Sequence, residues 1–253
     1  MTSISRTDLI PFSLFTESFP LRVDPVYAKE GHPENVFGAL YQEKAVISGH
    51  RDMVALVLLA ALRLFAEAGW TLVVKDCLRP VEAQEKMLQT PIVKANPHWL
   101  DEPRFLSPPG KGGHPRGMAV DLAADGPDGA AINFGTPFDH FAASPAPEIN
   151  PAHREHPNLP EPVQKNRGIL ERAMTQAAID LGLPLLPLPQ EWWDFRFPAS
   201  YSSAYAPLSD ADLPPFLKVM TEPSPIPEGE KLRMRESVLA RLTPLCPEIR
   251  RVR

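Results

Sequence analysis

The alternation of apolar and polar positions divides the chain into a few clear elements. Residues 50–68, HRDMVALVLLAALRLFAEA, are apolar nearly all the way round and stop at Gly69. That predicts a buried helix closed by a glycine cap. WTLVVKD (70–76) is short, apolar and rich in β-branched residues, so it predicts a strand. Pro80 suits a first helical position, and VEAQEKMLQ continues the helix. Residues 91–116 carry many proline and glycine breakers and predict a loop. GMAVDLAA (117–124) predicts a second strand, followed by a long loop to residue 162. In QKNRGILERAMTQAAIDL (164–181), Leu170, Ala173, Met174, Ala177, Ala178 and Leu181 recur at helical spacing, and Gly182 ends the run. QEWWDFRFP (190–198) predicts a further strand, and KLRMRESVLARL (231–242) a last amphipathic segment. The first 45 residues mix turns with short apolar pieces and one strand at most.

Together these elements predict an α+β fold, with helices packed on a small antiparallel sheet. The text changes after Tyr205, where it becomes proline-rich. We therefore expect a main domain over residues 1–205 and an extension, 206–253, packed on it. Composition sharpens this picture in a few ways. A chain of 253 residues with 43% hydrophobic content supports one sizeable core. The 31 prolines favour long ordered loops over a helical bundle. A net charge of −5 offers no basic footprint, so nucleic acid is not an expected partner. No apolar run reaches the roughly 18 residues that span a bilayer. The start lacks the apolar stretch of a secretory signal, so the expected location is cytoplasmic. Cys77 and Cys246 alone make no disulfide framework. Oligomeric state is left open.

Three stretches carry candidate chemistry. In GGHPRGMAVD, His114 lies in a glycine-rich turn and Asp121 lies seven residues on, inside an apolar strand. The two can converge on one cation; the plainer reading is an aspartate that faces solvent. A carboxylate buried there is costly unless paired or metal-bound. In KDCLRP, Arg79 follows a buried-type strand, a common mounting point for functional side chains; alone it reads equally as a surface arginine. In QEWWDF, Glu191 and Asp194 point to opposite faces of a regular strand, so a shared site requires the strand to bend or end between them.

The combination resembles the D-alanyl-D-alanine dipeptidases, zinc peptidases related to the D,D-carboxypeptidases of cell-wall (peptidoglycan) metabolism. Their pattern S-x-H-x-x-G-x-A-[IV]-D is similar to GGHPRGMAVD, and their E-W-W-H is similar to EWWD. Weaker likenesses follow in the same order: ENVFGALY (34–41), DCLRP (76–80), GTPFD (135–139) and NRGIL (166–170). The resemblance covers residues 34–200. It implies a metalloprotease-type hydrolase acting on a small dipeptide. It also implies one divalent metal, zinc in the family, held by His114, Asp121 and Asp194. Glu191 becomes the general base and Arg79 the stabiliser of the developing oxyanion. Asp139 matches a position that meets the substrate's ammonium group, with Asp76 in support and Tyr41 as a wall residue.

Three positions depart from the pattern. Asp194 stands where the family has His, Gly112 where it has Ser, and Leu78 where it has Tyr. Two carboxylates and one His carry a charge of −2 in place of −1. A divalent ion held so would be a weaker Lewis acid, and harder oxygen donors favour manganese or another divalent ion beside zinc. His140 is a conceivable substitute ligand. The alternative to a working dipeptidase is a non-catalytic or weakly active relative that binds a dipeptide or cell-wall fragment.

Overall fold

The computed structural model describes residues 2–246. The last seven residues of the expected extension lie outside them. In chain order the strands are β1 (Leu9–Pro11), β2 (Leu21–Val23), β3 (Ser48–His50), β4 (Thr71–Asp76), β5 (Ala119–Asp125), β6 (Leu186–Pro187) and β7 (Asp194–Arg196). The helices are α1 (Arg51–Ala68), α2 (Val81–Leu88), α3 (Pro91–Ala95), α4 (Glu161–Leu181), α5 (Ala199–Ser202) and α6 (Glu228–Leu242). The class is α+β, as the periodicity predicts. A five-stranded sheet runs β2-β4-β5-β7-β6, and β1 pairs with β3 in a separate antiparallel ribbon. The large sheet is mixed, because β2 joins β4 in parallel while the other pairs are antiparallel.

The helix α1 is buried from Asp52 through Ala61, with Leu64 buried a turn further on. Its sequence has no polar stripe because it is covered on several sides, by α4, α6 and β4. Gly69 closes it at φ 70°, a conformation that favours a residue without a Cβ. On α6, Met234, Val238 and Leu242 are buried against the same core, and Arg241 Nη1 lies 3.1 Å from Asp52 Oδ1 on α1.

Some boundaries differ from the sequence reading. Pro162 sits inside the first turn of α4, where a missing N–H costs nothing, so that helix starts three residues early. The stretch predicted as loop carries α3, which has Pro91 in its first turn for the same reason, and a short 3-10 turn over Pro97–Leu100. The largest difference concerns QEWWDFRFP. Residues 190–193 form a turn, and the strand begins only at Asp194.

Two details of register position the site. Val74 pairs with Leu122, but Asp76 pairs with Asp121, so β4 carries one extra residue at Lys75. Asp121 in turn pairs with Asp194. Directly opposed residues of an antiparallel pair share a face. Asp76, Asp121 and Asp194 therefore form a row of carboxylates across three neighbouring strands.

Candidate active site

Such a row is unstable on its own, since like charges opposed across strands repel and all three side chains are buried. Each end has its own cation. Arg79 reaches Asp76 Oδ2 from Nε at 2.8 Å and from Nη2 at 2.7 Å, and its Nη2 lies 3.3 Å from Asp121 Oδ2. At the other end Arg196 holds Asp194 with both arms, Nε donating to Oδ1 at 2.7 Å and Nη2 to Oδ2. Burial would raise the Asp194 carboxyl, but Arg196 holds it well below the usual carboxylate range. The middle member is least provided for. Asp121 Oδ1 is buried without a hydrogen-bond partner. Burial, then the charge of Asp194, pushes its carboxyl well up.

His114 enters on a one-turn 3-10 helix, His114–Arg116, tied to the end of β4 by Arg79 N–H donating to His114 O at 3.1 Å. Gly117 closes that turn at φ 61°. A Cβ there would meet His50 N at 2.7 Å, so only glycine lets the turn lie against β3. The ring's Nδ1 is 2.7 Å from Cys77 O. A carbonyl can only accept, so Nδ1 carries the hydrogen. In the neutral ring, Nε2 then presents a lone pair, 3.6 Å from Asp121 Oδ2 and 3.4 Å from Asp194 Oδ2. A lone pair facing two carboxylate oxygens is a repulsive arrangement that a cation relieves. The spacing suits one: donors at about 2.0–2.1 Å from a tetrahedral ion stand about 3.3–3.4 Å apart.

Among the described residues, the group here whose ligand atoms all lie within 4.8 Å of one another is Asp76, His114 and Asp121, without Asp194. We favour the Nε2 side. Asp76 already accepts from Arg79 and, through Oδ1, from Tyr41 Oη at 2.8 Å. The His114 nitrogen nearest to Asp76, at 3.7 Å, is the one committed to Cys77.

Glu191 stands on the turn before β7. The turn is clamped from outside the sheet. Arg154 donates to the carbonyls of Leu188, Trp192 and Asp194, and Asn150 Nδ2 donates to Gln190 O at 2.7 Å. Trp192 stacks on Phe134 and donates Nε1–H to Thr136 Oγ1 at 2.8 Å, while Trp193 packs edge-on to Phe138. Both tryptophans are thus core side chains that fix the turn, and the turn frees Glu191 and Asp194 from strand alternation. Burial and then the charge of Asp194 push the Glu191 carboxyl up to about 8.

One cavity is lined by Arg79, His114, Asp121, Asp139, Glu191 and Asp194. Asp139 adopts φ 55°, and its Oδ2 accepts from Tyr27 Oη at 2.7 Å. Burial lifts its carboxyl to about 7, although the Tyr27 bond and Arg79 oppose the shift. Asp76 and Tyr41 do not line the cavity; they stand behind Arg79 and brace it. His140 is not part of the lining either. Sequence reasoning missed Arg196, Tyr27, whose ring lies under the Arg79 guanidinium at 4.9 Å, and Arg154. Arg196 also alters the charge sum drawn from sequence, because it neutralises Asp194.

No helix among the described residues is long and apolar enough to cross a membrane. The sequence pattern of a family described as D-ala-D-ala dipeptidase matches residues 21–209. The D-alanyl-D-alanine dipeptidase of Escherichia coli (strain K12) is 27% identical over 171 residues, which is 67% of this chain and 76% of that protein.

Proposed function

From the premise that this chain belongs to the D-ala-D-ala dipeptidase family, we propose that it is a metal-dependent dipeptidase that hydrolyses D-Ala-D-Ala or a related dipeptide in the cytoplasm. The observation that carries this reading is the His114 Nε2 lone pair facing Asp121 and Asp194, with Glu191 on the same cavity. His114, Asp121 and Asp194 would hold the ion, zinc first, with manganese as the alternative. A divalent ion held there supplies a more acidic water and a polarised scissile carbonyl.

The protein's own groups do the rest. Glu191 takes a proton from the attacking water and returns it to the leaving amine as the peptide bond breaks. Arg79 faces the negative charge that grows on the carbonyl oxygen; because Asp76 and Tyr27 hold it, little reorganisation is needed as that charge develops. Asp139 offers its carboxylate to the substrate's free ammonium group. Gly112, where the family has Ser, lines the cavity and leaves room for a dipeptide other than D-Ala-D-Ala.

One observation favours a second reading, a dipeptide-binding relative without hydrolysis: Asp194 is already engaged by Arg196. The test is a panel of D,D- and L,D-dipeptides offered to the protein loaded with zinc or with manganese, alongside elemental analysis. Cleavage of at least one dipeptide is expected. Failure with both metals sinks the enzyme reading, and a protein with no measurable zinc affinity supports the binder.

A further inference from the structure

Resting on the metal reading above, we propose that Arg196 is a positioning residue that acts as the fixed counter-charge of Asp194. The Asp194–Arg196 pair then presents one oxygen to the cation with the net charge of a neutral ligand. The geometry is specific. Asp194 and Arg196 are two residues apart on β7, so their side chains leave the same face. The guanidinium grips the carboxylate with Nε on Oδ1 and Nη2 on Oδ2, while Oδ2 also faces His114 Nε2 at 3.4 Å. No hydrogen bond from Arg196 to Asp121 is seen among the described residues, so its hydrogen bonds in the row go to Asp194, although its charge is also felt by Asp121 and Glu191. Asp121 Oδ1 stays without a partner.

The charge count follows from these contacts. Three carboxylates in the row meet two guanidiniums, Arg79 and Arg196, leaving one net negative charge beside the His114 ring. Without Arg196 the same donors would carry two negative charges. An arginine keeps its charge at every working pH and holds a carboxylate in a fixed plane, which a lysine does less well. The pair therefore offers a hard oxygen donor without the extra charge that an isolated aspartate brings.

The test measures affinity for Zn2+ and Mn2+ by calorimetry or chelator competition on the full chain stripped of metal. Four proteins form a cycle: wild type, Arg196→Met, Asp194→His, and the double variant. Arg196→Met removes a positive charge and should tighten binding on the order of tenfold or more. Asp194→His removes a negative charge and should weaken it by a similar factor. The double variant restores the net charge and should return to the wild-type affinity, and Arg196→Lys, which keeps the charge, should stay near it. Wild-type-like or weaker binding by Arg196→Met overturns the proposal, as does equal weakening by Arg196→Met and Arg196→Lys, since that marks Arg196 as a mere orienting group. Thermal melts check folding. If Arg196→Met alone does not fold, the double variant and Arg196→Lys decide, because neither leaves an unpaired buried charge. If wild type binds but affinities ignore the charge, only this inference falls. If no protein of the set binds either ion, the metal reading falls with it.

Discussion

Among the described residues, two regions hold a histidine among carboxylates at metal-like spacing, and they differ in where the protons are. In the first, Asp24, His32 and Glu34 offer ligand atoms within 4.8 Å of one another. Lys29 and Lys75 fill that space: Lys29 Nζ is 2.6 Å from Asp24 Oδ1, Lys75 Nζ is 3.0 Å from Asp24 Oδ2, and Lys75 also pairs with Glu34. His32 Nδ1 accepts from Glu34 N–H at 3.1 Å, so Nε2 carries the hydrogen and points it at Asp24, 3.4 Å away. Burial would raise the Asp24 carboxyl, but the two lysines bring it down to about 2. In the second region, around His114, the ring is turned the other way and one buried oxygen has no partner. Spacing alone does not separate an ion pair from a metal site. The direction of one N–H does.

The sharpest way to break this comparison is at the chemistry itself. Glu191→Gln should lower kcat on the order of 10²–10⁴-fold while zinc affinity stays within error, measured on whichever dipeptide the panel identifies. A variant with near-normal turnover would remove Glu191 from the mechanism. Next, His114→Ala should cost metal affinity by more than the roughly 10–100-fold loss expected for an outer-shell partner, whereas His32→Ala should leave it unchanged. Equal effects at the two histidines would erase the distinction drawn here. Lys75→Met addresses the other region. It strips buried Asp24 and half-buried Glu34 of the cation they share and should destabilise the fold by about 3 kcal/mol in denaturant titration; a change near zero would show that Lys29 suffices.

The smallest effect concerns Asp139, which accepts a hydrogen bond from Tyr27. Its folded carboxyl titrates near 7, against an ordinary 3.8. In that window the native state keeps a proton that the unfolded chain has released. Its contribution to stability is therefore whole below about pH 4 and lost as pH rises through about 7. Asp139→Asn should remove that slope and gain on the order of 1–2 kcal/mol at pH 8 relative to pH 5. Parallel stability curves for wild type and variant across that range would contradict the assignment.

Much of the fold was legible because α1 and α4 end on glycine, α4 writes its period plainly, and β4 and β5 are short apolar runs. The site was legible through motifs whose members reach one cavity from distant stretches of chain. What escaped has a common cause. Counting Trp192 and Trp193 as strand residues set Glu191 and Asp194 on opposite faces, a conflict that disappears once the strand starts at Asp194; Arg196 shares the face of Asp194 in either reading and was simply not weighed. Arg154 and Tyr27 left no local signal, since each acts on backbone or rings far away in sequence. Proline misled at α3 and α4, where it opens a helix and does not break one.

The extra residue in β4 has a consequence of its own. Lys75 turns to the Asp24–Glu34 side, while Asp76, its neighbour, joins the carboxylate row. The two regions are thus allocated by a single step in strand count. Point substitutions can tune either one independently. Deleting Lys75 would return β4 to a regular register that keeps Asp76 opposite Asp121 but would take from Asp24 and Glu34 the cation they share, so the extra residue serves the Asp24–Glu34 side without disturbing the row.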